Sequence, residues 1–301
     1  MSTAAPSDRL VVTSPFWWQS GPSVPYEIFR RVGSRQRFLA GYPLAWIEEP
    51  RSRVLQAFWV PHDWVPYLER LSPGAPPTAL PDQVRHALSD ASILVDLIRC
   101  QAELSTWTDV LAVARVQFAT LGYVNLCRLV HGLQLESLAD YFRRVASGGI
   151  KMGDSQCARR VGIHNEPMAR FLHTQLVWLV SQIAGEAVIP SYAYFAGYRG
   201  GAELSRHTDR EQCEFSISLL VDYQAPSHET HEVTSGSDSR SSWPLWLETA
   251  GGVVAIDQRP GDALLYRGTR LPHWRTRLHD EHRSDSVLLH YVPQSFSGPL
   301  R

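Results

Sequence analysis

The chain has 301 residues, of which 44% are hydrophobic and 20% are charged, and its formal net charge is -1. This near-neutral balance excludes the basic footprint that nucleic-acid-binding proteins carry. No apolar run approaches the roughly 18 residues that a membrane span requires, and the N-terminus lacks the pattern of a secretory signal. We therefore expect a cytoplasmic protein that binds small molecules or peptides and neither nucleic acid nor membrane. The cysteines have no short paired spacing and predict free thiols; they are Cys100, Cys127, Cys157 and Cys213.

The first half of the chain favours helices. Residues 1–25 are rich in proline and serine and predict an irregular arm, whereas from about residue 26 to residue 147 most apolar residues recur at helical spacing. The clearest run is 81–104, which begins at Pro81, a residue common at helix starts. We predict a largely helical N-terminal region over residues 1–147.

A loop and one further helix follow. The glycines of residues 148–156 predict the loop. Residues 165–186 predict a helix in which Asn165 is the N-cap, Pro167 lies in the first turn and Gly185 ends the helix.

The remainder of the chain favours strands. From about residue 186 to residue 296, short β-branched or aromatic runs are separated by turn residues, which is typical of an antiparallel sandwich or barrel. The polar stretch 225–242 predicts a mobile loop, either a lid or a disordered insertion. We predict an α+β protein: a C-terminal domain over residues 148–301, built as a jelly-roll or cupin-like sandwich, with the helical N-terminal half packed against it.

Three side chains in the strand-rich region have the chemistry of metal ligands. His207 and Asp209 lie between two strand-like runs and, as alternate residues, can point the same way. His273 follows a turn, a strand and a second turn, and we expect it at a strand start on the facing sheet. Two imidazoles and one carboxylate on one face of an octahedron leave three positions open, which suits Fe(II), although zinc accepts the same ligands. A charged hairpin shoulder is the alternative interpretation of His207 and Asp209.

With these residues in place, the segment 186–296 resembles the double-stranded β-helix of the Fe(II)/2-oxoglutarate-dependent oxygenases, near the prolyl-4-hydroxylase-like branch. The resemblance implies that His207, Asp209 and His273 bind iron, and that 2-oxoglutarate and O2 are cosubstrates. The residues that carry it are the His207-x-Asp209 pair, the Pro260-Gly261-Asp262 turn, His273, and Arg283 with Ser284.

The same resemblance implies a binding site for the cosubstrate. Arg283 would pair with the distal carboxylate of 2-oxoglutarate, for which a guanidinium fork is well suited, and Ser284 would assist it. Tyr198, on the strand before the first ligand, would touch cosubstrate or substrate. Arg275 and Arg277 also lie close to His273 and are the alternative anchors.

We therefore expect a dioxygenase that hydroxylates an unactivated C–H bond of a small metabolite or of a peptide or amino-acid side chain, with release of succinate and CO2. The presence of Asp209 favours hydroxylation over halogenation, because the related halogenases have a small residue there. The alternatives are a non-catalytic cupin-like binding protein and a metal enzyme that needs no keto acid. Of these interpretations, only the 2-oxoglutarate-dependent dioxygenase requires a cation about ten residues after His273.

Other polar residues favour structural interpretations. We expect His290 to be core or pocket wall rather than a ligand. Arg206 and Arg210 flank the ligands; they are more easily explained by pairing with neighbouring glutamates than by steering an acidic substrate. Those glutamates are Glu203, Glu211 and Glu214. Arg160 is expected at the surface.

Overall fold

A computed structural model describes residues 9–32, 43–49, 54–130, 132–148, 152–226 and 241–300. Contacts divide the chain into two compact units, one of Met1–Leu111 with His131–Gln134 and one of Ala112–Val130 with Leu135–Arg301. Most of the stretch 225–242 predicted as a loop lies outside the described residues. The domain boundary predicted after residue 147 stays a prediction. None of the helices in the described ranges combines the length and the apolar character needed to cross a membrane.

The first unit contains more sheet than its sequence indicated. Its described elements in chain order are β1 (Leu10–Val12), β2 (Phe16–Gln19), α1 (Tyr26–Val32), β3 (Leu44–Glu48), β4 (Leu55–Trp59), a 3-10 turn (His62–Trp64), α2 (Val65–Leu68), α3 (Asp82–Asp90), β5 (Leu94–Asp96) and the start of α4 (Leu97–Leu121). Strands β2, β3 and β4 form an antiparallel sheet, and β1 pairs with β5.

The largely helical prediction for the N-terminal half was therefore wrong in part. In β3, four consecutive residues from Leu44 to Ile47 are buried, so the strand lacks the alternation that reveals a half-exposed strand. The predicted helix 81–104 is likewise two helices with β5 between them. Ser92, with a φ of 57°, turns the chain between α3 and β5.

The second unit holds the strand-rich region. Its further elements are β6 (Tyr123–Leu126), α5 (Gly132–Ser147), β7 (Arg160–His164), α6 (Pro167–Gln175), α7 (Val177–Ala184), β8 (Val188–Arg199), β9 (Leu204–His207), a 3-10 turn (Glu211–Cys213), β10 (Phe215–Gln224), β11 (Leu245–Thr249), β12 (Gly252–Ile256), β13 (Ala263–Tyr266), β14 (His273–Arg275) and β15 (Arg283–Pro293). All four cysteines are free thiols, as predicted.

These strands form two antiparallel sheets. One has six strands in the order β6-β13-β10-β15-β8-β7, and the other has four in the order β12-β11-β14-β9. From β8 onwards the chain passes back and forth between the two sheets, except that β11 and β12 are consecutive strands of the four-stranded sheet. Leu247 of β11 packs with Leu264 and Tyr266 of β13, so the sheets share an apolar interior. The α+β class with antiparallel sheets is thus confirmed.

The helix predicted over 165–186 is present with a different start and a break. Glu166 rather than Asn165 is the N-cap, and its carboxylate accepts a hydrogen bond from the backbone N–H of Ala169 at 2.9 Å. Asn165 has a φ of 51° and instead accepts from Ala193 of β8. The helix is divided into α6 and α7 at Leu176, and Gly185 ends α7 with a φ of 79°, as expected of a glycine C-cap.

Helix α6 carries a buried histidine that makes stability depend on pH. Burial lowers the pKa of His173 from 6.5 to about 3, and its Nε2–H donates to the backbone oxygen of His290 at 2.7 Å. Below pH 6.5 the unfolded chain binds a proton at this residue that the folded protein does not, so the free energy of unfolding falls as pH falls from about 6.5 towards 3.

We expect His173→Gln, which retains an N–H donor but does not titrate, to remove part of this dependence. Between pH 6 and pH 4 the wild-type free energy of unfolding should lose about 1.4 kcal/mol per pH unit more than that of the variant. Urea unfolding at several pH values measures both curves. Parallel curves would show that His173 takes up its proton in the folded protein.

Candidate metal centre

His207, Asp209 and His273 come together at one end of the four-stranded sheet. His207 ends β9 and His273 begins β14, and the two are directly paired residues of adjacent strands. Asp209 Oδ1 lies 3.8 Å from His207 Nε2 and 3.6 Å from His273 Nε2. The expectation of a strand start for His273 is confirmed, whereas its placement on the facing sheet was wrong, because β9 and β14 are neighbours in one sheet.

Backbone carbonyls orient both imidazoles. His207 Nδ1 lies 2.8 Å from the oxygen of Ser205, and His273 Nδ1 lies 2.9 Å from the oxygen of Leu271. A carbonyl only accepts, so each Nδ1 carries the proton and each Nε2 presents its lone pair towards Asp209. Burial lowers the pKa of His273, which favours the neutral form that a metal requires.

The carboxylate of Asp209 is oriented as well. Its backbone N–H donates to the oxygen of Gly268 at 2.8 Å, and its Oδ2 accepts from the hydroxyl of Ser216 at 3.0 Å. Ser216 Oγ is also 2.9 Å from Nδ1 of His290, a buried histidine whose pKa burial lowers to about 4. With Oδ2 held by Ser216, Oδ1 is the oxygen that remains for a metal shared with the two histidines.

Gly268 makes this arrangement possible. A Cβ at residue 268 would lie 2.3 Å from Asp209 Oδ2 and 2.5 Å from the backbone oxygen of Cys213. Any larger residue would therefore displace the carboxylate or the backbone that supports it.

The donor set fits a first-row divalent metal. The three donor atoms lie within 4.8 Å of one another. Among the described residues, no arginine or lysine forms an ion pair with any of them. A second group, Asp209, Cys213 and His290, is equally compact. However, Cys213 Sγ lies 3.1 Å from the hydroxyl of Tyr192, and His290 Nδ1 is hydrogen-bonded to Ser216. The His207, Asp209 and His273 set is therefore the better site.

Removal of the Ser216 hydroxyl is expected to weaken metal binding about tenfold, because hydrogen bonds to ligating carboxylates have effects of this size. Competition between the protein and a chromogenic chelator for Co(II) measures the affinity. Ser218→Ala is the matched control, since Ser218 lies two residues further along β10 and makes no described bond to Asp209. Equal affinity of Ser216→Ala and wild type would mean that Asp209 needs no such support.

A cavity of about 420 Å³ opens between the two sheets beside the three ligands. This volume lies within the range of about 300–1,000 Å³ typical of small-molecule sites. Tyr198 lines the cavity, and its predicted contact with cosubstrate or substrate stays a prediction; His290 also lines the cavity, as expected of a pocket wall. Side chains from both sheets contribute, among them Arg160, Tyr192, Tyr194, Arg210, Tyr266 and Arg275.

Arg275 is a buried arginine in this cavity. It is 5% exposed, and burial lowers the pKa of its guanidinium. The guanidinium lies over the ring of Trp243 at 4.7 Å and donates to that residue's backbone oxygen. Among the described residues no carboxylate lies within ion-pair distance of it, so a buried positive charge faces the cavity without a counter-ion.

Arg283 lies elsewhere, which corrects the expected placement of the cosubstrate anchor. Its guanidinium pairs with Asp285, which is fully buried and also bound to Arg199, and Arg283 does not line the cavity. On β15 the cavity-lining residues are Leu288 and His290, so even-numbered residues face inwards and Arg283 faces outwards. Arg277 is also excluded as the anchor of the cosubstrate, because its side chain is exposed and pairs with Asp280.

Ser284, the neighbour of Arg283, has the inward orientation. It is 1% exposed, and its Oγ has no hydrogen-bond partner in the described chain; the same holds for Ser286 Oγ. Neither hydroxyl lines the cavity, so the contact between Ser284 and the cosubstrate stays a prediction.

Two further arginines differ from the sequence expectation. Arg206 of β9 pairs with Glu248 of β11, two strands away in the same sheet, rather than with a glutamate nearby in the sequence. Arg160 is buried rather than exposed and donates through Nε and Nη2 to Asp154. The sequence does not indicate that Arg160 is buried, because its partner Asp154 is brought close to it only by the turn of the glycine-rich loop.

No protein-family model matches the chain, and no curated protein matches it. Among solved structures, the chain is similar to a prolyl-4-hydroxylase from Pseudomonas putida, with a TM-score of 0.46, 19% identity, and coverage of 60% of this chain and 97% of the other. It is also similar to a prolyl hydroxylase from Trichoplax adhaerens in complex with a peptide fragment of hypoxia inducible factor, with a TM-score of 0.49, 15% identity, and coverage of 63% and 92%.

A third similar structure is HygX from Streptomyces hygroscopicus with nickel and 2-oxoglutarate bound, with a TM-score of 0.45, 11% identity, and coverage of 60% and 86%. The kind of protein that the sequence resembles is thus found again among solved structures.

Proposed function

We propose that this protein is an Fe(II)- and 2-oxoglutarate-dependent dioxygenase of the prolyl-4-hydroxylase-like branch that acts as a hydroxylase. One observation carries the proposal: the Nε2 atoms of His207 and His273 converge on Asp209 Oδ1 in a cavity that also contains the uncompensated charge of Arg275. A facial metal site needs the first three residues, and a dicarboxylate cosubstrate needs the fourth.

The strand order supports the same class. Strands β8, β10, β13 and β15 lie together in one sheet, and β9, β11, β12 and β14 form the other. This alternation supports the double-stranded β-helix that the sequence resembles. Of these eight strands, His207 ends the second, Asp209 follows it, and His273 begins the seventh.

Iron would be held by His207 Nε2, Asp209 Oδ1 and His273 Nε2, with Ser216 holding the second carboxylate oxygen. Bound Fe(II) and 2-oxoglutarate together activate O2 for oxidation of a C–H bond, and the cosubstrate leaves as succinate and CO2. The protein orients the imidazoles through Ser205 and Leu271. Three protein donors would leave open positions on the metal for the cosubstrate and for O2.

Arg275 is the proposed anchor of the distal carboxylate of 2-oxoglutarate. It lies two residues after His273 on β14, about 7 Å along the strand, and both side chains line the cavity. A five-carbon dicarboxylate spans such a distance. Tyr198 lines the same cavity and stays a proposed contact of the cosubstrate or the substrate.

Substrate-independent turnover tests the proposal. The purified protein with Fe(II), ascorbate and O2 is expected to convert 2-oxoglutarate slowly to succinate with equal consumption of O2, because such enzymes also turn over without substrate. Succinate and O2 are measured in the same vessel, with the His273→Ala variant as the control for free iron. Succinate formation that is equal in wild type and variant would contradict the proposed enzyme.

A further inference from the structure

The cavity has a second wall, whose residues have no proposed role in binding the metal or the cosubstrate. We define the aromatic wall as His164 of β7 with Tyr192 and Tyr194 of β8. The ring of His164 lies 5.5 Å from that of Tyr192 and 4.7 Å from that of Tyr194. His290, behind the metal site, lies 4.5 Å from Tyr192 and joins the wall to the iron ligands. All four residues line the cavity.

Hydrogen bonds hold both tyrosines in place. The hydroxyl of Tyr192 is 3.1 Å from Cys213 Sγ, and that of Tyr194 donates to Asp154 Oδ2 at 3.1 Å. Tyr194 lies across Gly162, where a Cβ would be 1.6 Å from its hydroxyl oxygen. The ring faces are thus fixed before any ligand arrives, which reduces the entropy lost when a flat molecule binds against them.

An arginine lies at each end of the aromatic wall, and the two differ in charge compensation. The guanidinium of Arg160 lies 5.2 Å from the Tyr194 ring and is neutralised by Asp154. That of Arg210 lies 5.9 Å from the Tyr192 ring, and no carboxylate in the described ranges pairs with it. Arg210 is therefore the cation at the mouth of the cavity that is available to a ligand.

The charges of the cavity-lining residues also indicate that Arg210 is the uncompensated cation. Three arginines and two carboxylates line it, namely Arg160, Arg210, Arg275, Asp154 and Asp209, which leaves one positive charge when the histidines are neutral. A divalent metal would be balanced by Asp209 and by one carboxylate of the dianionic cosubstrate, which leaves the other carboxylate for Arg275. Since Asp154 compensates Arg160 and the cosubstrate would compensate Arg275, the remaining positive charge is that of Arg210.

We infer that the substrate is a small molecule with a planar ring and one carboxylate, the ring lying against the aromatic wall and the carboxylate bound by Arg210. This inference rests on the proposed function, because that function supplies the charges that cancel. Arginine binds a carboxylate through two parallel hydrogen bonds, and tyrosine faces contribute apolar contact with a flat ring.

Binding of simple probes to the zinc-loaded protein tests the inference without any turnover. Zinc accepts the same three ligands and has no redox chemistry. With 2-oxoglutarate at saturation, benzoate is expected to bind in saturation-transfer NMR at least tenfold more tightly than benzamide, its uncharged isostere. Arg210→Gln should abolish this preference. Arg206→Gln, whose side chain pairs with Glu248 outside the cavity, should keep it.

The outcomes separate the two proposals. Equal binding of benzoate and benzamide, or an unchanged preference in Arg210→Gln, would overturn the inference. Tenfold tighter binding of phenyl phosphate than of benzoate would overturn the assignment of a carboxylate. Failure of the protein to bind 2-oxoglutarate, measured first in the same experiment, would overturn the proposed function, whereas dependence of benzoate binding on Arg210 would still support the anion site.

Discussion

Replacing Asp209 with alanine is expected to lower the affinity for Fe(II) at least about 100-fold and to reduce succinate formation to background. The site has three protein donors, and Asp209 is the one that both histidines approach, at 3.8 and 3.6 Å. It also supplies the only negative charge among them, so its loss leaves a divalent ion next to two neutral imidazoles. Iron affinity is measured anaerobically by competition with a chelator.

Asp257→Ala is the matched control, because Asp257 is an exposed carboxylate outside the cavity. It should bind iron as wild type does. The Asp209→Ala variant should remain folded, because the Asp209 carboxylate and its neighbours are partly solvated in the metal-free protein. Iron affinity of Asp209→Ala within threefold of wild type would show that the metal binds elsewhere.

The second large effect concerns the anchor of the cosubstrate. Arg275→Gln is expected to weaken 2-oxoglutarate binding about 100-fold, which corresponds to about 2.7 kcal/mol, while iron affinity changes less than threefold. The loss is large because Arg275 is buried and would meet the distal carboxylate away from water. Titration of the iron-loaded protein with 2-oxoglutarate under anaerobic conditions measures the affinity.

Arg283→Gln should give the opposite pattern. It removes one of the two arginines that compensate the buried Asp285, so the midpoint of thermal unfolding should fall while 2-oxoglutarate affinity stays within threefold of wild type. A 100-fold loss of cosubstrate affinity in Arg283→Gln, together with normal affinity in Arg275→Gln, would restore Arg283 as the anchor.

The cluster of His207, Asp209 and His273 was predictable because His207 and Asp209 are close together in the sequence and His273 lies at a strand start. The sheet that carries His273 was not predictable, since the sequence does not reveal which strands become neighbours. The position of Arg283, the first candidate for the anchor, was not predictable for a related reason. A shift of one residue along a strand reverses the face of the side chain, and on β15 this places Ser284 inside and Arg283 outside.

The strand-rich half was predictable because its runs are short and divided by turn residues, whereas the sheet of the first unit was not. Strand β3 is buried on both faces and reads as a continuous apolar run, which periodicity cannot distinguish from a buried helix. The buried pair of Arg160 and Asp154 could not be seen either, since neither residue type favours burial and only the fold supplies the other as partner.

The most direct test of the central claim is an anaerobic difference spectrum of the protein with Fe(II), recorded before and after addition of 2-oxoglutarate. We expect a weak charge-transfer band in the visible region that is present in wild type, absent in Asp209→Ala, and requires far more 2-oxoglutarate in Arg275→Gln. Absence of the band from wild-type protein that has been shown to contain iron would contradict the assignment of this cavity to an Fe(II)- and 2-oxoglutarate-dependent enzyme.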